Sequence, residues 1–313
     1  MSKALVIGSV ALDSVETPYG TVDSSLGGSA SYGSVAASYF APTSLVAVVG
    51  TDFPKKYVTW LRNRGINLEG LKVENGETFH WSGFYETTMS QAFTNTTALN
   101  VFEHFRPDLT PRQAKERFVF LANIDPELQL HVINQLTNPE LVVLDTMNFW
   151  IEGSKQTLAK VIKKCGLLLM NEEESRQFCE TRSLIKAGEE LLKMGPRTVV
   201  IKKGEHGSLI FQKDGVFSVP AFPLRKMKDP TGAGDTFAGS LTGYVARLRK
   251  ATPENIRRAV IVGTAMASFV VEDFSLKRTL RIKPDEFQSR VEALYAMTVM
   301  PKLNGKSLKP YAK

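Results

Sequence analysis

DPTGAGDTFAG, residues Asp229–Gly239, joins a glycine-rich turn to an acid and runs straight into an amphipathic helix. Gly232 and Gly234 let backbone amides crowd toward an anion with no Cβ in the way. From Thr236 onward, Phe237, Ala238, Leu241, Tyr244, Val245 and Leu248 recur at helical spacing, which predicts that Gly232 to Asp235 form the helix's first turn. The unpaired amides of that turn, including those of Gly232, Ala233 and Gly234, and the positive end of the helix dipole make an anion site. Asp235 stands beside it, placed to take a proton from a hydroxyl that attacks phosphorus. A capped glycine turn is the plainer reading of the four-residue GxGD string alone, and Walker A spacing occurs nowhere in the chain.

Outward from this stretch, short apolar strands alternate with helical patterns, the rhythm of a parallel sheet covered on both faces. Residues 4–10, 45–49, 118–121, 141–144, 167–170 and 198–201 read as buried strands. Helices are expected at 30–40, 55–64, 128–136, 155–164 and 184–194, then at 236–249, 253–271 and 284–296. Between about Thr78 and Val101 a period of two replaces the helical one. Phe79, Trp81 and Tyr85 are expected on one face of a first strand, and Phe93, Leu99 and Val101 on one face of a second, joined around Met89-Ser90. Such a β-element cannot bury its apolar face alone and must close on a cleft or on a second subunit. Its aromatics read first as packing for one another, with Trp81, Phe84 and Phe93 as candidate pocket walls.

In doubly wound sheets, ligands bind beyond the carboxyl ends of the strands. Asp13, Asn123, Asp125, Asp145, Asn148 and Asn171 all follow strand-like segments. Asp125 before Pro126 reads as a helix cap. Asn171 and Glu174 lie one turn apart at a helix start, where a capping box competes with any metal role.

At full length the Asp229–Gly239 string resembles the second signature of the PfkB, or ribokinase-like, family of carbohydrate and nucleoside kinases. Val6 to Ser14 is similar to that family's first strand, whose end presents an aspartate to the substrate, here Asp13. Leu26-Gly27-Gly28-Ser29-Ala30 resembles the glycine pair opening its first helix. Asn171 to Glu174 fits its N-x-x-E motif, and Lys203-Gly204 with Gly207 resembles the loop lying along the nucleotide. The resemblance implies an α/β fold: a ribokinase-like three-layer αβα sandwich with a mainly parallel central sheet and a small β-sheet lid. It implies one kinase domain over 1–313, with the lid built from about 13–25 and 76–103. Also implied is transfer of the γ-phosphoryl group of ATP to a hydroxyl, with Asp235 as base and the amides of Gly232, Ala233 and Gly234 as anion hole. Asn171, Lys203, Gly204 and Gly207 would meet the nucleotide, and the segment from Gly263 to Phe274 its adenine. Asp13, Gly27, Gly28, Asn123, Asn148 and Asp229 would meet the acceptor, though Pro230 marks Asp229 equally as a turn former. Mg²⁺ would be ordered by Glu174 and Asn171, mostly through water. A monovalent cation such as K⁺, known to activate relatives, would sit near Asp229 to Thr231.

Departures from the family pattern bear on the acceptor. Ser29 and Tyr32 stand where ribokinases carry lysine and asparagine, and the run from Asp145 to Trp150 lacks the arginine of a D-P-N-x-R motif. These point to a neutral sugar or polyol, with a nucleoside as the leading alternative and a non-catalytic nucleotide- or sugar-binding protein as an alternative of another class. A dinucleotide oxidoreductase is excluded, because no GxGxxG follows the first strand.

Composition agrees. The chain has 313 residues, 43% hydrophobic and 23% charged, enough for a sizeable core. No apolar run is long enough to span a bilayer, and Met1-Ser2-Lys3 leads into a strand with no signal-peptide layout, so the cytoplasm is the expected compartment and no membrane partner is expected. Cys165 and Cys179 read as buried thiols. The net charge of +7 is scattered, with local clusters at 247–250 and in a tail at 299–313 expected to be loose, so nucleic-acid binding is not expected. A basic balance suits a polyanionic substrate such as ATP. A homodimer through the β lid is the expected assembly where the lid does not serve one chain alone.

Overall fold

Continuous apolar runs build the main sheet, because a strand covered on both faces has no solvent side to make polar. A computed structural model describes residues 2–89 and 91–299. In chain order the strands are β1 (Ala4–Ile7), β2 (Ala11–Thr17), β3 (Gly20–Gly27), β4 (Thr43–Gly50), β5 (Ile66–Glu74), β6 (Phe79–Tyr85), β7 (Ala92–Ala98), β8 (Phe118–Leu121), β9 (Leu141–Leu144), β10 (Leu167–Asn171), β11 (Thr198–Lys202), β12 (Ser208–Gln212) and β13 (Gly215–Val219). The helices are α1 (Ser29–Ser38), α2 (Lys55–Asn63), α3 (Pro126–Gln135), α4 (Asn148–Gly153), α5 (Lys155–Ile162), α6 (Glu172–Cys179), α7 (Leu184–Lys193), α8 (Ala233–Leu248), α9 (Pro253–Val270) and α10 (Pro284–Met297).

Among the described residues the larger sheet runs β13-β12-β11-β10-β9-β8-β1-β4-β5, parallel from β5 to β11 and antiparallel at β12 and β13. Alternate residues serve two cores: Ala4 and Val6 pack on the face that holds Val35, Leu241 and Val260, while Leu5 and Ile7 pack with Val132, Leu158 and Leu191. Helices α1, α8 and α9 thus cover one face, and α3, α5 and α7 the other. The α1–α8 crossing is close because it is made of small residues. A Cβ on Gly239 would lie 2.1 Å from Gly33 O, and one on Gly243 2.5 Å from Ala37 O. That contact seats the N-terminus of α8 over the carboxyl edge of the sheet.

The second sheet, β3-β2-β6-β7, is the expected β-element. Its strands fall within 13–25 and 76–103 apart from the first residues of β2 and the last two of β3. Three expectations change. The segment 4–10 is not one strand leading to Asp13: β1 stops at Ile7, and β2 opens the second sheet. A side chain at Gly8 would meet Ala122 Cβ and Ser29 Oγ at 2.8 Å, and Ser9 O turns to receive Ala30 N at 2.9 Å, so the chain leaves the main sheet there. Second, Leu99 and Val101 do not share a strand face with Phe93. Strand β7 ends at Ala98, a 3-10 turn follows at Asn100–His104, and Val101 packs in the main core while Leu99 is exposed. Third, β5, β12 and β13 have no counterpart in the sequence reading.

Asp125 caps α3, accepting from Glu127 N at 2.8 Å. Cys165 is buried, Cys179 is half-buried, and both are free thiols. No described helix is long and apolar enough to cross a membrane. Ser90 and the expected tail beyond Val299 lie outside the described residues.

Candidate active site

Strand ends and one helix start converge on a single focus. Gly232 is the N-cap of α8 with φ 75°, a left-handed conformation suited to glycine. The ring of Tyr32 from α1 covers it so closely that a Cβ there would lie 2.4 Å from the ring. Ala233, Gly234 and Asp235 follow as the first turn of α8. Ala233 N donates back to Pro230 O at 3.2 Å, closing the turn, while the amide of Gly234 has no intrahelical partner and lies toward the carboxyl edge of the sheet.

Asp235 is held near neutrality. Burial lifts its carboxyl from the usual 3.8 to about 7, the negative charge of Asp145 adds to this, and Lys202 opposes it. A base that titrates near 7 is matched to proton transfer at neutral pH. Asp13 is likewise pushed to about 7, by burial first, and by the charges of Asp229 and Asp235 against a bond from Gly28 N. Asp13 thus lies within electrostatic reach of Asp229 and Asp235. Asp13 reaches it from β2, in the second sheet, with Oδ2 accepting from Gly28 N at 3.4 Å. The glycine pair has a specific reason here. A Cβ on Gly27 would lie 1.9 Å from Asp13 Oδ2, and one on Gly28, whose φ is 87°, 2.6 Å from Ser9 O.

Asp229 is 1% exposed and shapes the turn: its carboxylate accepts from Thr231 N at 2.9 Å and from Ser275 N at 3.4 Å. Burial raises its pKa, and among the described residues no lysine or arginine is ion-paired with it. Val271 O, within the Gly263–Phe274 segment, accepts from Lys228 N at 2.7 Å and from Asp229 N at 3.3 Å, so that segment braces the turn.

Asn171 and Glu174 form the capping box: Asn171 Oδ1 accepts from Glu174 N at 2.8 Å, and Glu174 Oε2 from Asn171 N at 2.7 Å. Asn171 Nδ2 also donates to Glu174 Oε1 at 2.8 Å. Burial nevertheless lifts Glu174 to about 7, with Lys202 opposing and Asp145 adding. Among the described residues no three His, Cys, Asp or Glu side chains converge as a metal cage. A carboxylate with each oxygen already holding one hydrogen bond fits a magnesium ion kept mainly by water and phosphate. Lys203 and Gly204 open a tight loop closed by Lys203 N donating to Gly207 O at 2.7 Å. Gly207 has φ 79°, and a Cβ there would lie 2.1 Å from Val219 O.

Two expected acceptor residues have partners of their own, and the carbonyl of Asn123 accepts from Ser29 Oγ at 3.3 Å, next to the glycine pair. Asn123 Oδ1 accepts from Trp150 Nε1 at 3.0 Å. Asn148 begins α4 and lines a surface groove with Glu152, Glu173 and Arg176. The lid aromatics largely satisfy one another. Phe84 stacks on Phe93 at 5.2 Å, Phe79 on Phe102 at 5.5 Å, and Trp81 lies over Gly83 with Nε1 donating to Thr94 Oγ1 at 3.2 Å.

The sequence reading missed three contributors. Tyr85, from β6, accepts from Thr231 Oγ1 at 3.1 Å and so ties the second sheet to the glycine turn before α8. Tyr32 is 2% exposed and feels the charges of Asp13, Asp229 and Asp235. Lys202 ends β11 and pairs with Asp145 at 2.9 Å. A lysine at a strand's carboxyl end is the one signal that was visible in advance.

Comparison with known proteins agrees with this fold. The model of the pfkB family of carbohydrate kinases matches residues 1–282. A cytidine kinase of Thermococcus kodakarensis is 30% identical over 252 residues, 78% of this chain and 89% of that protein. The solved nucleoside kinase of Methanocaldococcus jannaschii superposes with a TM-score of 0.75 at 24% identity, covering 94% of this chain and 99% of that one. A nucleoside kinase of Burkholderia thailandensis, in complex with ADP-inosine, superposes with a TM-score of 0.78 at 16% identity, covering 98% and 100%. With the fold, the glycine turn and the family match in agreement, the chain belongs to the pfkB carbohydrate kinase family and is a phosphotransferase with a hydroxyl group as acceptor.

Proposed function

We propose that this protein transfers the γ-phosphoryl group of ATP to a hydroxyl of a nucleoside. The observation that carries the chemistry is the meeting of Asp235 with the glycine turn of α8 at the carboxyl edge of the sheet, with Asp13 across the same space. Asp235 takes the proton of the attacking hydroxyl. The amides of Gly232, Ala233 and Gly234 stabilise charge on the group in flight, the largest source of rate in such sites. Asp13 orients the acceptor by accepting from its hydroxyls. Lys203, Gly204 and Gly207 line the nucleotide, and the Gly263–Phe274 segment borders its adenine. Asn171 and Glu174 would hold the water shell of Mg²⁺, which when bound shields the phosphate charge. Asp229, buried with no ion-paired lysine or arginine among the described residues, suits K⁺ nearby, so rates should be higher in potassium than in sodium.

Support for a nucleoside comes from the cytidine kinase similarity, which spans most of both chains. A neutral sugar or polyol is the second reading. It is favoured by Tyr32 filling the space over Gly232 and by lid aromatics engaged with each other rather than open to a base. The deciding experiment is ADP release from MgATP against a panel of nucleosides, neutral sugars and polyols, with Asp235→Asn in parallel. Turnover of a nucleoside that the variant loses is the expected result; strong turnover of a free sugar with none of any nucleoside would overturn the acceptor assignment.

A further inference from the structure

We propose that Lys202 is the protein's own cation for the phosphoryl group in transfer, held ready by Asp145. The lysine ends β11 and reaches across β10, so that its Nζ lies 2.9 Å from Asp145 Oδ1, beyond the end of β9. It also stands against the first turn of α8: a Cβ on Gly234 would lie 3.1 Å from that Nζ. The amine therefore borders the turn that opens α8, beside Gly234. The two partners are unequally sealed, with the Asp145 side chain 6% exposed and that of Lys202 20% exposed. The lysine side chain is thus the more accessible of the two.

Charge balance argues the same way. Asp145 pairs with Lys202, and the charges of Glu174 and Asp235 also reach it: burial opposes its charge, while Asp145, Glu174 and Asp235 sustain it above the ordinary lysine range. A triphosphate entering beside three carboxylates needs a positive group that is already in place. A pair kept only for packing could be replaced by apolar side chains without loss. Lysine commonly meets phosphate as a point charge. The inference rests on the phosphoryl-transfer reading of this site, and it assigns Lys202 to the γ-phosphoryl group rather than to the nucleotide as a whole.

The test measures binding of ADP and of a non-hydrolysable, imido-bridged ATP analogue by calorimetry, alongside turnover. Lys202→Met should lower kcat on the order of 10²–10³-fold. It should weaken the triphosphate analogue about tenfold while ADP binding holds. Lys202→Arg should keep both affinities and recover part of the turnover. The double variant Asp145→Asn with Lys202→Met, which leaves no carboxylate unpaired, should bind and turn over like Lys202→Met. If Lys202→Met is too unstable to assay, the double variant and Lys202→Arg decide on the same readouts. An unchanged analogue-to-ADP ratio with wild-type kcat in the double variant overturns the proposal. Because that ratio needs no acceptor, an error in the acceptor assignment leaves it readable.

Discussion

A carboxylate buried at a helix start is best matched to general-base work when its environment brings its pKa near the working pH. Asp235 meets that condition through burial, with the charge of Asp145 and the opposing charge of Lys202 refining the value near 7. In the proposed role Asp235 acts deprotonated, so kcat/KM should climb as pH rises through about 7 and be suppressed below it. Asp235→Asn should lose turnover over the whole range. The same shift carries a stability cost of opposite sense. Its folded pKa lies above the usual 3.8, so its stabilising contribution is complete below about pH 4 and is lost as pH rises through about 7. Asp235→Asn should therefore raise Tm relative to wild type at pH 8 and change it little at pH 4, as calorimetry at the two pH values would show. Gly27→Ala should displace Asp13, whose Oδ2 would be 1.9 Å from the new methyl, and raise the acceptor KM with little change in the KM for ATP. Equal rises in both would place the disturbance elsewhere. Asp235, Gly232 and Gly234 were readable in the string because the motif is local. Lys202 was not, since its importance lies in Asp145, 57 residues away.

Elements explain where these residues stand. The box at the start of α6 gives Asn171 a structural duty, and Asn171→Ala should cost about 1 kcal/mol of stability, measured by denaturant midpoint, whether or not nucleotide binding also weakens. The second sheet meets the catalytic turn through Tyr85 and Thr231. If that contact seals the site, Tyr85→Phe should raise ADP release in the absence of acceptor, because closure is what keeps water from the phosphoryl group; an unchanged blank rate would remove the seal. Period-two alternation revealed β6, yet the end of β7 was misjudged. Asn100, at φ 50°, turns the chain and donates to Thr78 O at 2.9 Å, a tertiary bond with no signature in local hydrophobicity. Strand β5 escaped for a related reason. Only Ile66 in it is buried, so its apolar pattern is faint.

At the scale of the whole molecule, binding should register as stability. ATP with Mg²⁺ should raise Tm and NAD should leave it unchanged, since only a ligand of the folded state shifts the transition. The edge strand β7 is exposed along nearly its full length, and a second copy pairing on it predicts a dimer in sedimentation experiments. A monomer at every concentration would leave the sheet serving one chain. By itself the sequence determined the α/β architecture, the anion turn, its acid and the glycine pair, because apolar period and glycine permissiveness act over a few neighbouring residues. Only the tertiary structure decided that the chain leaves the main sheet after Ile7, that Asp229 is committed to backbone amides, and that Tyr32, Tyr85 and Lys202 lie by the glycine turn and its carboxylates. Those assignments depend on burial and charge summed over segments far apart in the chain, and such sums exist only once the two sheets and α8 have packed together.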